Sequence, residues 1–266
     1  MTVRSCALMR TDMFSLAGKT AVITGAGRGF GRAIAIGFAA QGANLALGAR
    51  TELELAATAA QCVAVGGKAV SLATDITHRA ACQRLVETAV SSFGGVDIAF
   101  CNAATGLFGP AEGISEADWN YEMQVTIAGY FNVAQSAGGQ MIKQGRGGSI
   151  IAMSANASLV GYAELTAGAA AKGAVDQMCR NLALEWGGYG IRVNSMNPGY
   201  TEHVPDYGDV STGAGDDLEG GIRMMTPIGR RGRIEEFVWP AIFLASDASS
   251  FVSGTSLVVD GGYSIK

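Results

Sequence analysis

The sequence predicts an α/β fold: a doubly wound, mostly parallel β-sheet covered by helices on both faces and built as a single domain. Three observations predict it. Short β-rich apolar runs alternate with longer helical patterns from residue 20 to near the C-terminus. The first run closes in a glycine-rich turn that opens directly into a helical pattern. Apolar residues make up 48% of the 266, enough for a sizeable core, and no linker or break in composition marks a second domain.

The elements follow in order. Residues 1–15 read as a flexible leader, because Met13-Phe14-Ser15-Leu16-Ala17-Gly18-Lys19 has the look of a chain start and the first strand follows at once; the domain proper is 16–266. Strands are expected at 20–24, 44–48, 68–72, 96–100, 148–153, 191–195 and 256–259, where the apolar runs are short and β-rich. Helices are expected at 29–41, 51–65, 77–93, 115–143, 163–186 and 234–246. The 38 glycines, many beside alanine, suit helices that pack closely on a sheet. Residues 199–223 break the rhythm: Gly208, Gly213, Gly215, Gly220 and Gly221 stand among Asp206, Asp209, Asp216, Asp217 and Glu219. This stretch is too polar for a core element and reads as a substrate lid, with a solvated insertion as the alternative.

Composition excludes several classes. The net charge is −4 and no basic block occurs, which argues against a nucleic-acid partner. No run of about 18 or more apolar residues suggests a membrane span. No signal peptide is evident, so a cytoplasmic protein is expected. Cys6, Cys62, Cys82, Cys101 and Cys179 are odd in number and scattered, as reduced buried thiols would be. The two histidines, His78 and His203, share no ligand spacing, and no metal site is expected.

The strongest motif is Thr24-Gly25-Ala26-Gly27-Arg28-Gly29-Phe30-Gly31, directly after Thr20-Ala21-Val22-Ile23. Gly25 permits a tight turn, Gly29 lets backbone approach a pyrophosphate, and Gly31 lets the helix sit close to the strand. The main-chain amides of the helix start, Phe30 among them, then face the anion. A lone glycine triplet is a weak signal, but strand–turn–helix context makes it specific.

With the spacing TGxxxGxG, the chain resembles the short-chain dehydrogenase/reductase family, and the resemblance covers residues 14–263. Cys101-Asn102-Ala103-Ala104 is similar to that family's NNAG segment with two letters changed, and Asn197-Pro198-Gly199-Tyr200 to its PG motif. Arg230, Glu235 and Glu236, then Phe243-Leu244-Ala245-Ser246-Asp247 and Asp260-Gly261-Gly262, are similar to its C-terminal signature. The resemblance implies a Rossmann-type sheet, a nicotinamide cofactor, a small-molecule substrate and a homotetramer. It implies that Asp75 lies beside the adenine, that Asn102 and Ala103 line the nucleotide cleft, and that Pro198, Gly199, Thr201 and Lys172 lie on the nicotinamide side. The small residues Gly168, Ala169, Ala170, Ala171, Gly173 and Ala174 suit close helix pairing across a two-fold axis.

The second strand ends Ala46-Leu47-Gly48-Ala49-Arg50. A carboxylate in the place of Ala49 would bind both ribose hydroxyls of NAD. Its absence, together with Arg28 and Arg50 as charged donors for a 2′-phosphate, predicts NADP(H).

The catalytic groups are another matter. Carbonyl reduction needs a proton as hydride arrives, and the family takes it from a tyrosine supported by lysine, serine and asparagine. By spacing, the tyrosine position is Gly168, the serine Ala155 and the asparagine Thr126; only the lysine, Lys172, remains. Substitute acids are sought in Tyr162, Ser154 and His203, the last having a side chain that titrates near neutrality. Two functions stay open. One is an NADP(H)-dependent oxidoreductase that moves hydride to or from a small carbonyl, alcohol or imine-type substrate by a non-standard proton path. The other is a catalytically silent or non-redox NADP(H)-binding protein, including a chain whose catalytic positions were substituted by design.

Overall fold

A computed structural model describes residues 12–202 and 218–265. Seven strands form one parallel sheet: β1 (Thr20–Thr24), β2 (Asn44–Ala49), β3 (Lys68–Ala73), β4 (Ile98–Cys101), β5 (Gly148–Met153), β6 (Ile191–Pro198) and β7 (Ser256–Val259). Their spatial order is β3-β2-β1-β4-β5-β6-β7. Val22 pairs with Ala46 on one side and Ala99 on the other. The winding reverses between β1 and β4, and a crevice opens there at the carboxyl ends of the strands.

The helices are α1 (Gly29–Ala40), α2 (Glu52–Ala64), α3 (Arg79–Phe93), α4 (Glu116–Met123), α5 (Tyr130–Gln144), α6 (Thr166–Trp186), α7 (Leu218–Met225) and α8 (Val238–Ala245). Each long helix buries one stripe. In α1 the buried positions are 31, 34, 35, 38 and 39, and in α3 they are 81, 82, 85, 86 and 89. That spacing is one face of a 3.6-residue helix. Helices α1, α2 and α8 cover one side of the sheet around Ile34, Phe38 and Ile242. Helices α3, α5 and α6 cover the other around Leu85, Tyr130 and Val175.

Four differences from the sequence expectation concern the site. The helix expected at 115–143 is divided: a π-helical segment, Gln124–Gly129, joins α4 to α5. One wide turn barely disturbs apolar periodicity, so the sequence does not reveal it. The helix expected from 163 starts at Thr166, because Glu164 takes a left-handed φ of 60°, which an α-helix cannot accommodate. The expected helix at 234–246 opens with a 3₁₀ turn, Ile234–Phe237, before α8. Strand β6 runs on to Pro198, where it pairs with Val259. Within the expected lid, α7 is helical and residues 203–217 lie outside the described residues. Of the expected leader, residues 1–11 also lie outside them; Met13 accepts a hydrogen bond from the Ala248 amide, and Phe14 lies against Phe243.

Among the described residues no helix is long and apolar enough to cross a membrane. Among them, no cluster of three or more His, Cys, Asp or Glu side chains is placed to hold a metal ion. Cys62, Cys82, Cys101 and Cys179 are buried thiols.

Phe38 is fully buried with its ring edge-on to Phe100, at 6.2 Å between centroids, and so bridges α1 to the switch-point strand β4. Phe38→Ala is expected to cost about 3–5 kcal/mol in urea denaturation, from lost transfer energy and the cavity left behind. A loss under about 1 kcal/mol would mean that α1 is not held by this core.

Candidate active site

The turn after β1 has the backbone that its glycines predict. Gly25 has φ 64° and Gly29 φ 53°, left-handed values that side chains disfavour. A Cβ on Gly25 would stand 2.7 Å from Asn102 Nδ2 and 2.8 Å from Ala103 Cα. A Cβ on Gly31 would run into the Gly25 carbonyl oxygen. Asn102 holds the two strand ends together. Its Nδ2 donates to the carbonyls of Thr24 (3.2 Å) and Gly25 (3.3 Å), and its own amide donates to Thr24 Oγ1 (3.1 Å). No side chain caps the N-terminus of α1, so its leading amides are available to an anion.

The crevice at this turn has a volume of about 810 Å³. Eight of the residues expected to bind the cofactor line it together: Gly25, Arg28, Gly29 and Phe30 from the turn, then Arg50, Asp75, Asn102 and Ala103. Gly31 lies behind the turn, and Pro198, Gly199, Thr201 and Lys172 are not among the walls of this crevice. Thr201 Oγ1 donates to the Gly199 carbonyl, and the Gly199 amide donates to Val259 at the end of β7. At the far end Arg50 Nη1 donates to Tyr121 Oη at 3.3 Å, in an exposed contact. Partial burial alone would raise the Asp75 carboxyl, but two hydrogen bonds from Thr77, with His78 and Arg50 near, hold it below the ordinary carboxylate value. Glu54, which carries no motif, also lines the crevice: a Cβ on Gly27 would meet its Oε2 at 2.8 Å.

Lys172 stands one turn after Gly168 on α6. Its Nζ donates to the Met153 carbonyl at 2.8 Å and to Tyr130 Oη at 3.2 Å, and sits 4.9 Å from the centre of the Tyr130 ring. Tyr130 Oη itself donates to Met153 O at 3.0 Å, so one carbonyl anchors both groups. Burial lowers the Lys172 ammonium to about 8, against the opposing pull of Glu122 and Asp176. Tyr130 escaped the sequence reading because an aromatic residue at helical spacing with Val133 and Ala137 reads as core, and it is also fully buried. At Gly168, itself buried, a Cβ would first meet Leu165 Cδ1 at 3.1 Å.

The substitute acids are placed as follows. Ser154 is buried and its hydroxyl donates to the Lys172 backbone carbonyl at 3.3 Å, which ties β5 to α6. Tyr162 stacks on Tyr263 at 5.3 Å and meets Tyr200 edge-on at 5.9 Å. Burial first, then the neighbouring Tyr263 and Tyr200, pushes its hydroxyl above the ordinary phenol value. His203 lies outside the described residues. Behind Ala155, Asn197 Nδ2 donates to the Ala155 carbonyl, to Ser158 Oγ (2.8 Å) and to Asp176 Oδ2 (2.9 Å), fixing the loop after β5.

Residues 25–264 match the family described as enoyl-(acyl carrier protein) reductase. The chain is 35% identical to D-threitol dehydrogenase of Mycolicibacterium smegmatis over 254 residues, 95% of each protein. It is also 35% identical to gluconate 5-dehydrogenase of Gluconobacter oxydans, covering 96% of this chain and 98% of that one. A solved short-chain type dehydrogenase/reductase from Mycobacterium marinum superposes with a TM-score of 0.87 at 32% identity, covering 95% of this chain and 97% of that one. The chain belongs to the short-chain dehydrogenase/reductase family. A second member of the family, the gluconate 5-dehydrogenase from Burkholderia cenocepacia solved in complex with NADP and tartrate, superposes with a TM-score of 0.88 at 34% identity, covering 96% and 98% of the two chains.

The depressed Lys172 has a thermodynamic signature. Unfolded, this amine keeps its proton up to about 10.5; folded, it releases it near 8. Between those values unfolding takes up a proton, so raising the pH favours the folded state. In urea denaturation the stability of the wild type relative to Lys172→Met is expected to rise as pH goes from about 8 to about 10.5. A difference that stays flat across that range would show that the amine titrates normally.

Proposed function

We propose that this protein is an NADP(H)-dependent oxidoreductase whose proton path does not use a tyrosine, serine or asparagine at the family's positions. The reading rests on one observation above all: the nucleotide crevice is complete around Gly25, Gly29 and Asn102, while Gly168 leaves no phenol one turn before Lys172. The fit to a dinucleotide is supported by the crowding at Gly25 and Gly31, where any side chain would collide with Asn102, Ala103 or the turn itself and displace the cradle. Arg28 and Arg50 line the crevice and Ala49 brings no carboxylate to the end of β2, which favours a 2′-phosphate.

In this reading the α1 amides and the glycine turn hold the pyrophosphate, and Asp75 lies at the adenine end. Lys172 orients the nicotinamide ribose. Bound NADP(H) supplies or accepts the hydride. Solvent polarised by the Lys172 ammonium exchanges the proton that a phenol would otherwise carry. Tyr162 walls the substrate end with Tyr200 and Tyr263. Pro198, Gly199 and Thr201 follow β6 on the same side. A small carbonyl, alcohol or imine-type substrate fits this chemistry, and the names of the relatives, for gluconate and threitol, favour a polyhydroxylated one. The small-residue face of α6 favours assembly as a homotetramer, and sedimentation as a monomer would contradict that.

The absence of an acid at Gly168, Ala155 and Thr126 also favours a second reading, a protein that binds NADP(H) without turnover. Calorimetry and absorbance at the dihydronicotinamide band separate them. NADPH is expected to bind more tightly than NADH, and Arg50→Ala to weaken NADPH by about tenfold with little effect on NADH. Turnover on a panel of sugar-acid and polyol ketones supports the oxidoreductase. Binding without turnover, followed by activity gained in a Gly168→Tyr, Ala155→Ser, Thr126→Asn variant, supports the silent protein. Equal affinity for NADH and NADPH would sink the cofactor assignment.

A further inference from the structure

Glu54 stands in the first turn of α2, and its side chain lies over the glycine turn after β1. The point that a Cβ on Gly27 would occupy is 2.8 Å from Glu54 Oε2, 3.0 Å from Glu54 Cβ and 3.7 Å from Ala49 Cβ. The carboxylate is therefore a near neighbour of Ala49, at the end of β2. A knot of hydrogen bonds fixes it there. Thr58 Oγ1, one helical turn after Glu54, is within reach of the Gly27 carbonyl (3.4 Å) and the Glu54 carbonyl (3.1 Å). Arg32 of α1 donates through Nε to Thr58 Oγ1 at 3.2 Å and through Nη2 to the Gly27 carbonyl. Thr58 is fully buried, so the first turn of α2 is held against the glycine turn. The Glu54 carboxylate itself has no hydrogen-bond or ion-pair partner among the described residues.

Charges of opposite sign thus line the same end of the crevice. Arg28 and Arg50 attract a 2′-phosphate, and Glu54 repels it. When the end of β2 carries an acid, that acid accepts hydrogen bonds from the adenine ribose. Here Ala49 brings none, and a carboxylate reaches the same neighbourhood from the following helix. We propose that Glu54 is a specificity-determining residue: it accepts the adenine-ribose 2′-hydroxyl of NAD(H) and opposes the 2′-phosphate of NADP(H). The preference for NADP(H) is then smaller than the two arginines alone would give. A carboxylate in the first turn of a helix also favours the helix through its dipole, but that contribution is the same whichever dinucleotide is bound. The inference rests on the placing of the dinucleotide in this crevice, proposed above.

The test compares wild type with Glu54→Gln by calorimetry at one fixed low salt concentration. The ligands are NADPH, NADH, and ADP-ribose with and without a 2′-phosphate, the last two lacking nicotinamide. Loss of the carboxylate is expected to raise the ratio of the NADH to the NADPH dissociation constant at least about threefold. The two ADP-ribose ligands are expected to show the same rise, because the effect belongs to the adenine end. An unchanged or lowered ratio overturns the proposal. So does a parallel loss of both dinucleotides, which would make Glu54 a prop for the glycine turn. Should the glutamine disturb folding, as read by thermal melts, Glu54→Ala keeps a strong helix former at this position and carries the same expectation. The wild-type ratio alone tests the cofactor assignment, whereas its change at residue 54 tests this inference. Failure of the wild type to bind either dinucleotide would sink both.

Discussion

The clasp that Asn102 makes on Thr24 and Gly25 is the constraint on which the rest of the site depends. It joins the carboxyl ends of β4 and β1 where the winding of the sheet reverses. At that point the sheet cannot close with a helix on either face, so a crevice is unavoidable. The clasp satisfies the carbonyls that the tight turn would otherwise leave exposed to the crevice floor, and it fixes Gly25 in its left-handed conformation. From that fixed turn α1 sets out with uncapped amides, and Phe38 on the same helix locks back onto β4. Anion-binding geometry is thus a by-product of how the sheet is wound and pinned.

The second half of the site is organised around the Met153 carbonyl, which takes hydrogen bonds from both Lys172 and Tyr130. The lysine is therefore held from below whatever stands one turn before it at residue 168. Ser154 ties β5 to the Lys172 carbonyl, and the Asn197–Asp176–Ser158 group braces the neighbouring loop one turn further along α6. These braces keep the shape of a family active site although the groups at Gly168, Ala155 and Thr126 are small or differently functional. On the function proposed above, cofactor binding and proton transfer are separable in this chain, because the lysine keeps its anchors without a phenol at residue 168.

The crevice at the glycine turn was largely legible in the sequence, because its determinants are local. The run Thr24–Gly31 carries turn, backbone approach and helix start within eight residues, and the alternation of apolar runs gives the strands around it. The other half was not, because its contacts are distant and chemically ambiguous. Lys172 and Tyr130 are 42 residues apart, and neither spacing nor composition links them. Neither Glu122 nor Glu54 belongs to a motif that would mark it, yet one is buried and the other faces the crevice. The π-helical turn between α4 and α5 alters the register by too little to show in a hydrophobic pattern. Glu164 in a left-handed conformation has no residue-type signature at all, since glycine is what that backbone normally selects.

The most direct measurement is a crystal structure of the protein grown with NADPH. The pyrophosphate is expected on the α1 amides, the nicotinamide ribose within hydrogen-bond reach of Lys172 Nζ, and water or substrate, with no phenol oxygen, against the reacting carbon of the nicotinamide. A dinucleotide seated elsewhere, or Tyr162 swung out of its stack to stand against the nicotinamide, would contradict that expectation.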